Sequence, residues 1–177
     1  VTPFTAEHWS VDAGLQMAFT SGFGPGLTLR FGHTLAQNVY FGIMGDYWFA
    51  SASAGGGGVA VSASASIYDA FLVGGWDWSP VASFVVRPFG GGGFLRESLT
   101  LCIDQTPFGA PAGAMLASCT DVTYTTTALT LGGQALYRLS FLYIGGELRG
   151  LFAVGGGGTG GANSGTALAA ALVGMTF

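Results

Sequence analysis

Apolar and polar positions alternate along most of this chain, in runs of about ten residues separated by glycine-rich or polar breaks. The run that starts at His8 sets the pattern: Trp9, Val11, Ala13, Leu15, Met17 and Phe19 share one side, and Ser10, Asp12, Gly14 and Gln16 the other. A period of two is that of a β-strand with one apolar face. Residues 21–26, Ser-Gly-Phe-Gly-Pro-Gly, carry turn chemistry. A second strand then places Leu27, Leu29, Phe31, His33 and Leu35 on the apolar side, with Thr28, Arg30 and Thr34 opposite. After a tight return at 36–38, a third presents Val39, Phe41, Ile43, Tyr47 and Phe49, with Tyr40, Met44, Asp46 and Trp48 on the reverse face.

Further along, the pattern predicts five more strands. Residues 50–58, Ala and Ser followed by a run of Gly, predict a flexible loop. The stretch 59–66 still alternates, so it either belongs to that loop or extends the fourth strand. That strand proper places Tyr68, Leu72, Trp76 and Trp78 on the apolar face against Asp69, Phe71, Val73 and Asp77, and turns at 79–82. The fifth runs from Ser83 to about Arg96 and has the least certain register, because Pro88 interrupts it. Residues 97–121, which hold both cysteines, Pro107 and Pro111, predict the longest irregular segment. The sixth strand resumes near Val122 with Leu129, Leu131 and Tyr137 opposite Thr130, Gln134 and Arg138. In the seventh, Leu142, Ile144, Leu148 and Phe152 oppose Tyr143, Glu147 and Arg149. After a Gly-rich loop at 155–165, the eighth carries Ala167, Ala169, Ala171, Val173, Met175 and Phe177 in one unbroken apolar row.

Composition turns this pattern into a membrane prediction. Hydrophobic residues make up 50% of the 177 positions, yet no stretch of about 18 consecutive apolar residues is long enough for a membrane helix. Only 8% of residues are charged, nine acids against five Arg, with no Lys. A soluble domain of this size puts about a quarter of its residues into charge. High apolar content spread in alternation is what a transmembrane β-barrel requires, since lipid-facing and lumen-facing side chains take turns along every strand. The chain is therefore expected to be one domain over residues 1–177, all-β, an eight-stranded antiparallel up-and-down transmembrane β-barrel. Short connections alternate with long ones, and aromatics gather in two bands, with Trp9, Phe41, Trp76, Trp78, Tyr137 and Phe177 at one end and Phe19, Tyr47, Phe49, Tyr68 and Phe152 at the other.

Several residues resemble those of the small eight-stranded outer-membrane barrel superfamily of OmpA-like, OmpX-like and opacity-type proteins. They are Val86-Arg87-Pro88-Phe89 followed by four Gly and Phe94, Gly146-Glu147-Leu148-Arg149, and the terminal Phe177. The resemblance implies a bacterial outer-membrane protein, freed of a signal peptide, among outer-membrane lipid and lipopolysaccharide. It also implies that Phe177, with Met175 and Val173, forms a signal read by the barrel assembly machinery during insertion. Both termini then lie in the periplasm and the long loops outside.

The candidate chemistry is modest. Strand parity sends Asp12, Arg30, Asp46, Asp69, Arg87, Glu147 and Arg149 into the barrel. Eight strands leave an interior just wide enough for side chains, so these charges are expected to pair structurally; a pore lining is the functional alternative. The pair His8 and Ser10 has only Glu7, on the opposite face, as an adjacent acid, so it predicts no hydrolase, and His33 is read as an interfacial side chain. No cofactor, metal site or nucleic-acid surface is indicated. Cys102 and Cys119 are the only cysteines and are expected to form a disulfide within the 97–121 loop, which is also the expected site for a protein partner.

The function these features point to is a non-enzymatic integral barrel with a structural, adhesive or complex-scaffolding role. A narrow channel or a lipocalin-like small-molecule-binding barrel is the alternative, and Gly74-Gly75-Trp76 matches the lipocalin Gly-x-Trp, although mid-chain. Lipocalins are apolar inside and polar outside, the reverse of the parity here. Cell fractionation checks this: the chain is expected in the membrane fraction and released only by detergent, whereas recovery in buffer fits the soluble barrel.

Overall fold

The structure, a computed structural model, describes residues 7–19, 24–56, 59–105, 116–154 and 165–177. Nine strands cover almost all of them: β1 His8–Ala18, β2 Gly26–Thr34, β3 Val39–Gly56, β4 Val59–Trp76, β5 Trp78–Val81, β6 Phe84–Gln105, β7 Leu116–Arg138, β8 Leu142–Val154 and β9 Gly165–Thr176. They form one antiparallel sheet in the order β4-β3-β2-β1-β9-β8-β7-β6-β5, and β4 also pairs with β6. That last pairing closes the sheet. Since β5 continues β4 along the same edge of β6, the ring has eight strands. The seam between first and last strand runs from Ser10↔Thr176 to Ala18↔Leu168, and Phe177 adds two bonds of 3.0 Å to Trp9.

Tight turns gather at the end that holds both termini. In the first, Leu35 N–H donates to Val39 O (2.8 Å) and Asn38 takes a left-handed φ of 65°, a conformation that asparagine tolerates better than most side chains. The second is at Ala82–Ser83, later than the expected 79–82, because Ser79, Pro80 and Val81 stay in strand conformation. The third, at Leu139–Phe141, has Ser140 at φ 97°.

The break between β4 and β5 has a backbone cause. Pro88 sits in β6 beside the break and has no N–H to donate, so ladder pairing stops at Gly75↔Phe89 and resumes at Trp78↔Val86. Asp77 lies in the gap, and its N–H donates on the β3 side to Asn38 O (2.8 Å), one step past Val39↔Trp76.

Two predicted loops are largely strand. β3 continues through residues 50–56 and pairs with β4 to Gly56↔Val59, so the stretch 59–66 does extend β4. β6 continues to Gln105 and β7 begins at Leu116, so the 97–121 segment is mostly an antiparallel ribbon. The cysteines misled the prediction together with Pro107 and Pro111, which lie outside the described residues. Beneath them Leu99, Leu101 and Ile103 still alternate with Ser98 and Thr100. The expected loops at 21–26 and 155–165 lie mostly outside the described residues.

The barrel is consequently lopsided. β1, β2, β8 and β9 have 9 to 13 residues, close to the roughly 9–11 that a tilted strand needs to cross a bilayer. β3, β4, β6 and β7 have 18 to 23 and continue beyond the rim as a four-stranded sheet. Cys102 and Cys119 face each other across this extension and are disulfide-bonded. The bond is thus a cross-strand staple rather than a closure of irregular loop. Replacing both cysteines by Ser is expected to leave the heat-modifiable gel shift of the folded barrel unchanged and to raise protease cleavage between Leu101 and Thr120; loss of the folded band contradicts this.

Candidate functional site

Parity divides the side chains as lipid and lumen demand. The outside presents Leu15, Met17, Leu72, Leu131 and Leu148, each at least 65% exposed, and both predicted aromatic bands lie on it: Trp9, Phe41, Trp76 and Trp78 near the termini, Tyr47, Phe49 and Phe152 toward the other rim. Inside, Asp12, Asp46, Asp69, Asp77 and Glu147 are buried with Arg30, Arg87 and Arg149, none more than 4% exposed. All seven predicted interior charges therefore point inward, and Asp77 joins them. Its parity with Asp69 was the available signal.

The middle of the lumen holds one polar cluster built from six strands. Glu147 on β8 accepts Arg30 Nη2 at 2.6 Å through Oε2 and lies 3.1 Å from Arg149 Nε through Oε1. Arg149 Nη2 reaches Asp46 Oδ2 at 2.6 Å and Gln16 Oε1 at 2.7 Å. Gln134, the cross-strand partner of Glu147, donates to Oε2 at 3.1 Å. Arg30 and Arg149 also converge on the Met44 sulfur, at 2.9 and 3.0 Å. Asp69 faces Asp46 across the β3–β4 ladder.

A second cluster lies nearer the termini. Arg87 holds Asp77 with two bonds, Nε to Oδ1 at 2.5 Å and Nη2 to Oδ2 at 2.9 Å, the bidentate geometry that suits guanidinium and carboxylate. Thr34 donates to the same carboxylate (2.9 Å), and the Tyr40 ring stacks under the guanidinium at 3.7 Å. Asp12 accepts a bond from the Tyr143 hydroxyl at 2.9 Å. Both tyrosines need missing neighbours. A Cβ at Gly32 or Gly42 would collide with the Tyr40 ring, and one at Gly174 with Tyr143. Glycine at these inward positions is what lets a ring lie flat against the wall.

Apolar plugs flank the charges. Trp48, Ile67, Phe71, Ala128 and Leu151 are buried with Phe89, over which Arg30 sits at 4.8 Å; Val85, Leu136, Tyr143 and Leu172 form a smaller group. Ser10 is buried and His8 half-buried at the terminal end of this interior. Outside, Trp9 packs on His33 at 4.4 Å, with Glu7 3.7 Å from the imidazole. Among the described residues no group of His, Cys, Asp and Glu is arranged to hold a metal.

Beyond the rim the residues change character. Ser51, Ser64, Thr100 and Asp121 stand in one outward row, where Thr100 donates to Asp121 (2.6 Å), and Ser53 and Ser62 precede the disulfide in the next. At the base of this sheet Arg96 lies over the Tyr68 ring, 5.6 Å from its centre. Serine rows do not face lipid, so the apolar band ends here.

Solved structures of the same architecture settle the fold. A major outer membrane protein from Thermus thermophilus superposes with a TM-score of 0.61 at 15% identity, over 97% of this chain and 100% of that one. This is a small outer-membrane β-barrel fold. The N-terminal barrel domain of Pseudomonas aeruginosa OprF matches at 0.54 and 12% identity, over 97% and 98% of the two chains. Ail, the attachment invasion locus protein of Yersinia pestis, matches at 0.50 and 10% identity, over 96% of each. No family model matches the sequence, and no curated protein does. In an outer-membrane barrel the interior network carries a stability consequence. Glu147→Gln leaves Arg30 and Arg149 with one charge fewer to pair with, and removing one partner of a buried pair typically costs about 3–5 kcal/mol. A lower urea midpoint for unfolding in lipid is expected for this variant and no change for Asp121→Asn; equal midpoints for the two refute the role of the network.

Proposed function

We propose that the chain is an integral, non-enzymatic protein of a bacterial outer membrane that acts through the sheet it presents outside the cell, in an adhesive or complex-scaffolding role. The observation that carries this reading is the contrast between the two ends of the molecule. The lumen is packed with charged and large side chains, Trp48, Tyr40, Met44 and Tyr143 being almost fully buried, while four strands project well past the span that lipid requires. Material is invested in the external sheet, and none in a passage.

The same reading puts the termini and tight turns in the periplasm, with outer-membrane lipid and lipopolysaccharide around the apolar band. Met175, Val173 and Phe177 lie on the lipid face beside the β1–β9 seam, a position that suits a signal recognised by the assembly machinery before the seam closes. The expected partner site at 97–121 becomes the β6–β7 ribbon rather than a flexible loop.

Purified protein in planar bilayers is expected to give no steady conductance. Reproducible single-channel steps favour the narrow channel instead.

A further inference from the structure

The lumen contains more acid than base. Asp12, Asp46, Asp69, Asp77 and Glu147 are buried there with Arg30, Arg87 and Arg149, so five carboxyls face three guanidiniums. No other side-chain cation reaches them. The chain has no Lys, and all five of its Arg are among the described residues: Arg96 lies outside over the Tyr68 ring, and Arg138, at the terminal end, donates to Thr176 Oγ1 at 3.2 Å. His8 and His33 are at the terminal end too. The middle cluster alone sets Arg30 and Arg149 against Glu147, Asp46 and Asp69, which is one negative charge too many.

Asp69 is where the surplus falls. Glu147 is bonded by Arg30 and Gln134 and lies beside Arg149, and Arg149 also holds Asp46 through Oδ2. Asp12 stands opposite Arg30 in the β1–β2 register and accepts the Tyr143 hydroxyl. Among the described residues no ion pair includes Asp69. Its ladder neighbours are Asp46 on β3 and Leu95 on β6, and the inward positions around them are Ile67, Phe71, Met44, Trp48, Gly93 and Glu97. Of these side chains only Trp48 carries a donor, and Glu97 is a further acid. Like charges directly opposite on a ladder repel, and an unpaired charge away from water neutralises rather than persists. Asp46 Oδ1, the oxygen that Arg149 leaves unused, has no hydrogen-bond partner.

We propose that Asp46 and Asp69 hold one proton between them in the folded barrel, with Asp69 as the neutral acid that donates to Asp46 Oδ1, and that this proton makes the barrel firmer in acid than in alkali. The proton balances the middle cluster at two guanidiniums and two carboxylates. It also supplies the donor that Asp46 Oδ1 lacks. Unfolding returns Asp69 to water, where an aspartate ionises at about pH 4, so above that pH the unfolded chain releases a proton that the folded chain keeps. The native state then binds more protons than the unfolded one, and stability falls as pH rises. A barrel held only by ionised pairs behaves in the opposite way. The inference depends on the closed, filled lumen and not on what the external sheet binds.

The test uses the full chain in lipid bilayers, unfolded by urea between pH 6 and pH 8, beside Asp69→Asn. Asn keeps the shape and a donor but has no proton to lose. Relative to this variant, the folded-to-unfolded ratio of the unaltered chain is expected to fall about tenfold per pH unit, as release of one proton on unfolding requires; His8, His33 and Glu97 are common to both proteins and cancel. Infrared spectra of the folded protein at pH 7 are expected to contain the carbonyl band of a neutral carboxylic acid, weakened in Asp69→Asn. Labelling aspartate with carbon-13 at its carboxyl identifies that band in the unaltered chain without a variant. Absence of a labelled acid band, equal pH slopes for the two proteins, or a ratio that follows sodium or calcium concentration in place of pH would each overturn the inference.

Discussion

A strand in hydrocarbon has one place for its N–H and C=O groups, and that is another strand. Everything below the rim of this molecule follows from that constraint. β1 and β9, the ends of the chain, pair over nine register positions, and the last residue still bonds to Trp9. Where Pro88 removes a donor, the ladder opens for two positions only, and on the other side of the strand Asp77 N–H still donates to Asn38 O, one step past Val39↔Trp76. Above the rim water satisfies the backbone, the constraint lifts, and the ring gives way to a sheet with edges. The change from closed barrel to open sheet thus coincides with the change from Leu and Phe to Ser and Thr on the outer face.

Closing a ring of eight strands creates the second constraint, an interior too narrow to stay empty. Charges inside it are tolerable only if paired and bonded. The chain meets this with three guanidiniums that hold Asp46, Asp77 and Glu147, and two of the ion pairs tie distant parts of the sequence: Arg30 to Glu147, Arg149 to Asp46. The local pair Asp77–Arg87 has another origin. Asp77 stands directly opposite Arg87 in the register that runs from Gly75↔Phe89 to Trp78↔Val86, so the two are cross-strand neighbours on either side of the turn and the pair survives the interruption at Pro88.

The fold was legible because parity is a strong signal when one face meets lipid. Every inward charge from Asp12 to Arg149 could be placed from spacing alone, even in the strand containing Pro88. Partners were less legible. Which acid meets which Arg depends on shear around the ring, and Arg87 meets Asp77, placed inward by parity yet left out of the network, because the turn between them falls at Ala82–Ser83 and not at the expected 79–82. The glycines opposite Tyr40 and Tyr143 illustrate the same limit: nothing in the alternation marks Gly32 and Gly174 as the space that two rings occupy. The greatest error lay above the membrane. There the Ala-Ser alternation at 50–56 and the Leu-Thr alternation near 100 are as regular as in the barrel, but neither face is lipophilic enough to separate strand from loop by hydropathy.

The disulfide sits where the forces that hold the barrel no longer act. Between lipid-facing strands a covalent link would be redundant, because unpairing them in hydrocarbon is already prohibitive. In the extension each backbone bond competes with water, small side chains such as Ala63 and Ser64 bury little surface, and a two-stranded ribbon is marginal by itself. Cys102–Cys119 bridges β6 and β7 well past the last row shared with β8. It keeps the distal part of β7 paired with β6 in fixed geometry. A loop closed by the same bond would offer a partner side chains in a mobile frame. A stapled ribbon presents them from a backbone already ordered, and so lowers the ordering cost of any such encounter.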